Sequence, residues 1–389
     1  MLKFPKILFQ SDKDASTFEK LISPTRGQRT LLRDCVKKIE SHLKPRISEV
    51  TTTILGMDRK VEPRFRTQGS WAYDTCVVPS ATPPQEMDWD HGVYLPVTVW
   101  EDNGPPHQMA QAYFTLVETL LVDLCKQERW KLVRGKDTCI RIQVANWAHI
   151  DIPLYAAPEK EFAKIVQSVS LAEARANDVL AKRDPEMLEA VEARQEWDDL
   201  NSVVMATRTG EWKPSDPQVI ANWFKDRVEE HGIQLRRVCR YLKAWRDFKW
   251  QSGGPTSISI MIAAAQAFEA VSMRDDLALE RTARLLSSAF QGDIREQGID
   301  GGKEDFNRLE GIERRAASQR FGQLATQIAQ ARARPSHEKE MVIGILMQEF
   351  GARIPSDMTC IELDDNVSLV RQTSANRVPA PIVRSTQAG

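Results

Sequence analysis

Two aspartates separated by one residue, Asp88 and Asp90, are the side chains of this sequence best placed to bind a metal ion. They precede an alternating apolar and polar run, His91–Trp100, that is typical of a β-strand. Successive side chains of a strand point to opposite faces, so both carboxylates would share one face and Trp89 the other. Mg²⁺ prefers such oxygen ligands and keeps other positions for water and phosphate oxygens. The pair therefore indicates metal-dependent nucleotidyl transfer.

A segment reading Gln-Gly-Ser-Trp-Ala-Tyr, from Gln68 to Tyr73, precedes the two aspartates. Glycine lets backbone amides approach a phosphate closely, and a neighbouring hydroxyl adds a donor. Gly69 and Ser70 therefore indicate a cradle for a triphosphate. Asp-X-Asp and Gly-Ser strings are each common alone, but their order and spacing together favour a nucleotidyl-transfer site.

A third carboxylate, Asp151, lies in a second alternating run, Ile150–Leu154. On a strand it could complete the site of one ion in a two-metal centre, or it could face solvent. Arg141 lies in the preceding run, Thr138–Val144. It could stack on a base, contact phosphate, or be a surface arginine.

Three residues of the C-terminal half are further candidates for nucleotide contacts: Lys243, Ser257 and Ser215. Lys243, on a predicted helix, could bind phosphate oxygens or form an exposed pair with Asp247 one turn on. Ser257 could donate to phosphates from a helix N-terminus, where anions are favoured, or serve only as an N-cap. Ser215 could likewise donate to phosphates or serve only as an N-cap.

The bulk properties predict a two-lobed globular protein. A chain of 389 residues with 42% hydrophobic content exceeds the usual size of a single core. A net charge of −1 excludes the strongly basic field that binds long nucleic acids. The dispersed cysteines argue against a zinc module, and without a signal peptide they suit a reducing compartment. The longest apolar run, Ile258–Phe268, is too short to span a bilayer, so we expect a cytoplasmic protein.

The elements that must position these residues follow from hydrophobic periodicity. A helix is predicted over Arg29–Leu43, ended by Pro45, another over Ala110–Arg129, and a hairpin from Thr138 to Leu154. Further helices are predicted over Pro217–Gly232, Gln234–Trp250, Ile258–Ala270, Asp305–Arg334 and Ser336–Phe350. We therefore divide the chain into an N-terminal helical segment packing on the core (1–55), a nucleotidyltransferase core (56–205), a helical lobe (206–370) and a flexible tail (371–389).

Four blocks follow one another along the chain: Gln68–Tyr73, Glu86–Gly92, His149–Tyr155 and Leu235–Met261. Together they resemble the bacterial cGAS/DncV-like nucleotidyltransferases of CBASS antiphage defence, closest to the branch of DncV cyclic GMP-AMP synthases. The resemblance implies an α+β fold: a polymerase-beta-like core, with a mixed β-sheet and flanking helices, joined to a C-terminal helical lobe. The active site would lie in the cleft between the two.

By matching positions, the resemblance implies that Asp88, Asp90 and Asp151 are catalytic and bind Mg²⁺ or Mn²⁺. One ion, held by all three, would activate a 3′-hydroxyl, and the other would stabilise pyrophosphate. Nucleotide contacts are implied for a larger set: Gln68, Gly69, Ser70, Tyr73, Arg141, Ser215, Lys243 and Ser257. An acidic residue near a guanine in the family has no clear match here. The candidates are Asp300, Glu304 and Asp305.

The implied activity joins ATP and GTP into 3′,3′-cyclic GMP-AMP, a second messenger that acts on an effector, with release of pyrophosphate. Another cyclic di- or trinucleotide, a linear product of the oligoadenylate-synthase type, and a non-catalytic nucleotide-binding scaffold are the alternatives. Animal relatives carry a zinc-containing DNA-sensing element that this sequence lacks, so DNA activation is not expected. The C-terminal Gly389 would suit conjugation by a ubiquitin-transfer-like (E1/E2-like) partner.

Overall fold

A computed structural model describes residues 1–12, 14–82, 84–97, 107–168 and 203–364. Within these ranges, a mixed β-sheet with flanking helices forms one lobe, the core lobe, and packed helices form the other, the helical lobe. This arrangement confirms the predicted α+β class. The predicted tail, 371–389, lies outside the described residues, and so does its last residue, Gly389.

Ten strands are defined in the described ranges, eight of them in one sheet. They are β1 (Leu2–Lys3), β2 (Arg64–Thr67), β3 (Met87–Val97), β4 (Lys131–Val133), β5 (Ile140–Ala145), β6 (Ala148–Ile152), β7 (Leu154–Pro158), β8 (Val204–Ala206), β9 (Trp212–Pro214) and β10 (Glu362–Leu363). The sheet runs in the order β4-β5-β6-β3-β7-β8-β9, and β2 pairs with β3 outside this path. The antiparallel β5–β6 pair is the predicted hairpin.

Strand β3 lies inside the sheet, and its neighbours position the candidate carboxylates. Strands β6 and β7 follow one another across Pro153 and pair in parallel with successive parts of β3. Exposure alternates at the start of β3: Met87 and Trp89 are buried, whereas Asp88 and Asp90 are classed as half-buried. Both aspartates therefore share one face, as the alternation predicts.

Among the described residues before residue 130, the helices are α1 (Pro5–Leu8), α2 (Phe18–Leu21), α3 (Arg26–Val50), α4 (Gly69–Ala72) and α5 (His107–Glu128). Helix α3 continues through Pro45, where the sequence pattern predicts its end. A proline inside a helix costs about 3 kcal/mol. Ile47, beyond the proline, is fully buried in the core lobe, which returns roughly 1.5–3 kcal/mol. Tertiary packing thus extends the helix past the local stop signal.

The helical lobe contains α6 (Pro217–His231), α7 (Ile233–Lys249), α8 (Ser257–Ala267), α9 (Asp275–Ala289), α10 (Gln297–Asp300), α11 (Gly311–Ala333) and α12 (Lys339–Phe350). Helix α6 has Asp216 as its N-cap and ends at Gly232, close to the prediction. Helix α11 begins at Gly311 rather than at Asp305. The Asp305 carboxylate instead accepts hydrogen bonds from the Ile294 backbone and from Arg314, and these bonds hold an irregular segment.

Helix α9 is absent from the sequence predictions. Its first residues, Asp275 and Asp276, have the composition of a solvent-exposed segment, yet both are buried. Arg237 forms a bidentate ion pair with Asp275, and Arg274 forms one with Asp276. Charge pairing, with Arg237 of α7 and with the neighbouring Arg274, therefore accompanies the burial of a segment that looks polar in the sequence.

The lobes divide the chain differently from the predicted bounds in two places. Strands β8 and β9 carry the sheet past residue 205 to Pro214. Of the first 55 residues, α3 packs on the core lobe, whereas Leu2 and Phe4 are buried in the helical lobe. There β1 pairs with β10, and Phe4 N donates to Asp276 Oδ2 at 3.2 Å. Apolar residues at the start of the chain are thus covered by its C-terminal helices.

All six cysteines lie within the described residues, and each is a free, buried thiol. No described helix combines the length and the apolar character needed to cross a membrane.

Candidate active site

The three predicted carboxylates come together where β3 and β6 run side by side. Asp90 and Asp151 are register partners on these parallel strands. Asp88, His149 and Asp151 each present one potential ligand atom, and these atoms all lie within 4.8 Å of one another. Converging carboxylate oxygens are the donor set that Mg²⁺ and Mn²⁺ prefer, so these residues fit a divalent cation.

The electrostatics of the aspartates favour a bound cation. Burial, and then the negative charges of Asp88 and Asp151, raise the pKa of Asp90 to about 8. Like charges held this close oppose one another's ionisation until a cation neutralises them. A divalent ion would therefore stabilise the ionised form of these aspartates.

Asp151 is held by an arginine from the neighbouring strand. Arg141 on β5 faces Asp151 across the β5–β6 pair. Its Nε donates to Asp151 Oδ1 at 2.6 Å, and its Nη2 donates to Oδ2 at 2.5 Å. Two parallel hydrogen bonds fix the plane of a carboxylate. The structure thus places Arg141 on Asp151, where it orients a predicted metal ligand.

A histidine that the sequence analysis left without a role bridges two acidic residues. His149 Nδ1 lies 2.9 Å from Glu86 Oε2, and Nε2 lies 3.0 Å from Asp88 Oδ1. Gln143 donates to the other oxygen of Glu86. Burial lowers the pKa of His149, but the nearby Asp88 carboxylate and its negative charge outweigh burial, so the pKa lies above its ordinary value. His149 is thus placed to orient Asp88.

The predicted phosphate cradle is the short helix α4, and it lies against the aspartates. Gln68 is its N-cap, and the Gln68 N–H donates to the Asp90 carbonyl at 2.9 Å. Gly69 has a φ of +60°, which glycine adopts without strain. Gly69 and Ser70 line the same cavity as Asp88 and Asp90.

The Gln68 side chain points away from that cavity. It is 5% exposed, and its Nε2 donates to the Tyr94 hydroxyl at 2.6 Å. Its Oε1 accepts from the Tyr155 hydroxyl at 3.2 Å, and the two tyrosine rings stack with centroids 4.7 Å apart. The buried amide therefore anchors the start of α4 beneath the cradle.

The helical lobe supplies cationic groups to the cavity that Asp88 and Asp90 line. Lys243 on α7 is 4% exposed, and its Nζ donates to the Thr75 carbonyl at 2.6 Å. Burial lowers the pKa of this ammonium to about 8. The exposed pair with Asp247 is not formed, because Asp247 binds Arg246 instead.

Ser257 is the first residue of α8, whose N-cap is Thr256, so Ser257 is not the N-cap that the sequence alternative proposed. Arg246 Nη2 lies 3.3 Å from Ser257 Oγ and links α7 to the start of α8. The Ser257 hydroxyl and the N-terminus of α8 thus lie beside a guanidinium group.

A cavity of about 510 Å³ separates the two lobes. The predicted residues that line it are Gly69, Ser70, Tyr73, Asp88, Asp90, Lys243 and Ser257. Its volume lies within the range of small-molecule sites, roughly 300–1,000 Å³. Because carboxylates, an ammonium and a guanidinium group all line it, the cavity suits a triphosphate with its cations.

Other predicted contacts lie outside this lining among the described residues. Ser215 precedes the α6 N-cap, and its amide donates to Val203 O at 3.3 Å. The acidic candidates for the guanine contact also have other partners: Asp300 caps the backbone of Lys303 and Glu304.

The residues that sequence reasoning missed are Glu86, His149, Thr75 and Arg246. His149 and Asp151 are two apart on β6, so the alternation that pairs Asp88 with Asp90 could have found His149 as well. Thr75 and Arg246 had no such signal, because only the packing of the two lobes brings them to the cavity.

Comparisons with known proteins agree with this arrangement. The family model for the nucleotidyltransferase domain of DncV-like cyclic GMP-AMP synthases matches residues 63–155. The model for the C-terminal domain of cyclic GMP-AMP synthase matches residues 232–363. One match falls in the core lobe and the other in the helical lobe.

Two curated relatives with similar sequences are both cyclic GMP-AMP synthases. A cyclic GMP-AMP synthase of Escherichia coli (strain TW11681) is 36% identical in an alignment of 266 residues, which covers 62% of this chain and 58% of that protein. A cyclic GMP-AMP synthase of Vibrio cholerae is 38% identical over 215 residues, 54% of this chain and 48% of that protein. The matched part thus spans about half the length of these relatives.

Solved structures share the fold. Vibrio cholerae DncV cyclic AMP-GMP synthase superposes with a TM-score of 0.72 at 24% identity, covering 93% of this chain and 99% of that one. Escherichia coli DncV in its 3′-deoxy GTP bound form gives a TM-score of 0.68 at 23% identity, covering 93% and 100%. A further Vibrio cholerae DncV structure, with a TM-score of 0.72 and 24% identity over 93% and 98% of the two chains, contains the linear intermediate 5′ pppA(3′,5′)pG.

Proposed function

We propose, since the chain belongs to the family of DncV-like nucleotidyltransferases, that it is a cyclic dinucleotide synthase. Its reaction would join two nucleoside triphosphates through two 3′,5′ bonds and release pyrophosphate at each step. One observation carries the proposal: the face of β3 that bears Asp88 and Asp90 lines the same cavity as Lys243 and Ser257.

The metal requirement follows from the carboxylates. Asp88 and Asp90 would hold two Mg²⁺ or Mn²⁺ ions, with Asp151 as a further ligand of one of them. When bound, such ions acidify a ribose 3′-hydroxyl and neutralise the charge of departing pyrophosphate.

The chain's own groups position the substrates around that centre. Arg141 holds the plane of Asp151, and His149 holds Asp88, so the metal ligands are oriented before substrate binds. Lys243 and the N-terminus of α8 would bind triphosphate oxygens from the helical lobe. After the first bond forms, the linear intermediate must leave this single site, turn round and rebind for closure.

ATP and GTP are the substrates we propose, with 3′,3′-cyclic GMP-AMP as the product. The names of the curated relatives support this choice, as does the linear adenylate–guanylate intermediate in one DncV structure. The cavity itself does not account for the choice of bases, because Ser215 and the acidic candidates for a guanine contact are absent from its lining among the described residues.

The test is product analysis. Purified protein is incubated with the four ribonucleoside triphosphates and Mg²⁺, treated with phosphatase and analysed by mass spectrometry. A phosphatase-resistant mass of cyclic GMP-AMP is expected, because a circular product has no terminal phosphate. Another resistant cyclic mass would retain the reaction and change the bases. A product from which phosphatase removes terminal phosphates would be linear, and it would overturn cyclisation in favour of linear transfer.

The cellular setting follows the family. We propose a cytoplasmic enzyme whose product activates an effector in antiphage defence, without activation by DNA. Conjugation of Gly389 by an E1/E2-like partner stays a prediction. Deletion of Gly389 in cells that carry such a partner should abolish the conjugates, and persisting conjugates would remove the idea.

A further inference from the structure

Helix α4, which carries Gly69 and Ser70, cannot hold its position by itself. It has four residues, far fewer than a helix needs to be stable in water. Its orientation against β3 therefore depends on tertiary contacts. Two hydrogen bonds connect this segment to the main-chain carbonyls of the metal-binding aspartates. Gln68 N donates to Asp90 O at 2.9 Å, and Trp71 Nε1 donates to Asp88 O at 2.8 Å.

Trp71 supplies the side-chain hydrogen bond of this pair, and Trp89 and Arg29 both lie against its ring. It stacks on Trp89 with ring centroids 4.3 Å apart and planes inclined by 25°. The Arg29 guanidinium lies 5.7 Å from the centre of the Trp71 ring. An indole held in this way has one direction in which to present its N–H, and Asp88 O lies there.

We propose that Trp71 is a positioning residue, whose indole N–H sets the placement of the α4 cradle relative to the Asp88 and Asp90 carboxylates. This inference rests on the proposed nucleotidyl transfer. In that reaction the cradle holds the triphosphate and β3 holds the metal ions, so an error in their relative placement separates the reacting atoms. Loss of the N–H should therefore slow the chemical step more than it weakens substrate binding.

The chain offers a matched control in the same stack. Trp89 Nε1 donates to Thr67 Oγ1 at 3.2 Å. Thr67 is already held by the β2–β3 ladder, in register with His91. Trp71→Phe and Trp89→Phe each keep an aromatic ring and remove one indole hydrogen bond, but only the first bond joins α4 to Asp88.

The experiment compares kcat, KM and hydrogen–deuterium exchange over residues 68–76 in the full-length protein and both variants. Trp71→Phe should lower kcat by about 10-fold with KM within about twofold, and should speed amide exchange in α4. Trp89→Phe should change kcat by less than about twofold. Equal kcat losses, or equal exchange in α4, would overturn the assignment.

A second variant and a readout that does not depend on activity distinguish the role of Trp71 from misfolding and from failure of the proposed function. Should Trp71→Phe fail to fold, β-(3-benzothienyl)alanine at position 71 replaces only the N–H by sulfur and gives the same comparison. Should the wild-type protein make no cyclic product, the proposed function fails, while amide exchange in α4 still decides what Trp71 does.

Discussion

Gly69 lies so close to Asp90 that a β-carbon on it would be 2.0 Å from Asp90 Oδ2. Real β-carbons do not approach an oxygen at that distance, so either the cradle or the carboxylate would have to move. The φ of +60° at Gly69 adds a second demand for glycine. The contact directly joins the two halves of the site that the sequence analysis identified separately.

Gly69→Ala should therefore reduce synthesis strongly. The alanine would displace α4 or Asp90 by an ångström or more, which can cost about 100-fold in kcat. Gly56→Ala is the matched control, since Gly56 has a φ of +67° and a β-carbon added there would meet no atom within 4 Å. Both variants should lose about 1–2 kcal/mol of unfolding free energy from backbone strain. Comparable kcat in the two variants would show that contact with Asp90 is unimportant.

Asp88→Asn should abolish synthesis while the protein stays folded. Its side chain is 44% exposed, so the change leaves the core intact, but the amide is a poor ligand for Mg²⁺. We expect a loss of about 1,000-fold or more in the rate of product formation. Asp123→Asn, at a side chain that is 66% exposed on α5, serves as the control. Undiminished product from Asp88→Asn would sink the assignment of the metal ligands.

Lys243→Arg should change the pH dependence of triphosphate binding. Burial lowers the pKa of Lys243 to about 8, so this ammonium loses its charge as the pH rises through 8, whereas arginine stays charged. The wild-type KM for the triphosphate should rise by up to about 10-fold from pH 8 to pH 9, and the variant's should rise less. Circular dichroism at both pH values checks the fold. Parallel KM profiles would mean that Lys243 does not bind the phosphates.

His149→Gln should weaken metal binding without unfolding the protein. The variant loses the contact of His149 with Asp88, and removal of a group that orients a metal ligand typically costs 10–100-fold in affinity. Electron paramagnetic resonance titration with Mn²⁺ measures this directly, independent of catalysis.

The control for that titration is His42→Gln. His42 is also a buried histidine, and its Nε2 lies 3.0 Å from the Leu120 carbonyl in the core lobe. If His149→Gln binds Mn²⁺ as tightly as His42→Gln does, His149 does not orient the metal site.

Local patterns predicted much of the framework around the site. The alternation around Trp89 placed both aspartates on one face, and the predicted hairpin placed Asp151 on its second strand. These features are short in range, because they depend on the period of a strand and on a turn two residues long. Backbone geometry alone determines them.

What escaped prediction depends on contacts between distant segments. Helix α3 continues through Pro45 because residues beyond the proline are buried by another element. Arg141 was expected at the nucleotide, and only the pairing of β5 with β6 shows that it binds Asp151. Gln68 lies in a nucleotide-contact motif, but its side chain forms hydrogen bonds with two tyrosines, from β3 and β7, beneath the cradle. A linear sequence does not report such pairings.

The pairing of β1 with β10 imposes an order on biosynthesis. Leu2 is in register with Leu363, and Phe4 and Ile7 are buried among helices of the C-terminal half. Residues 2–7 are synthesised long before these partners exist, so the nascent chain carries an uncovered apolar segment throughout translation of the sheet. The core lobe can collapse around β3 in the meantime, and residues 2–7 dock only once the C-terminal half has been made.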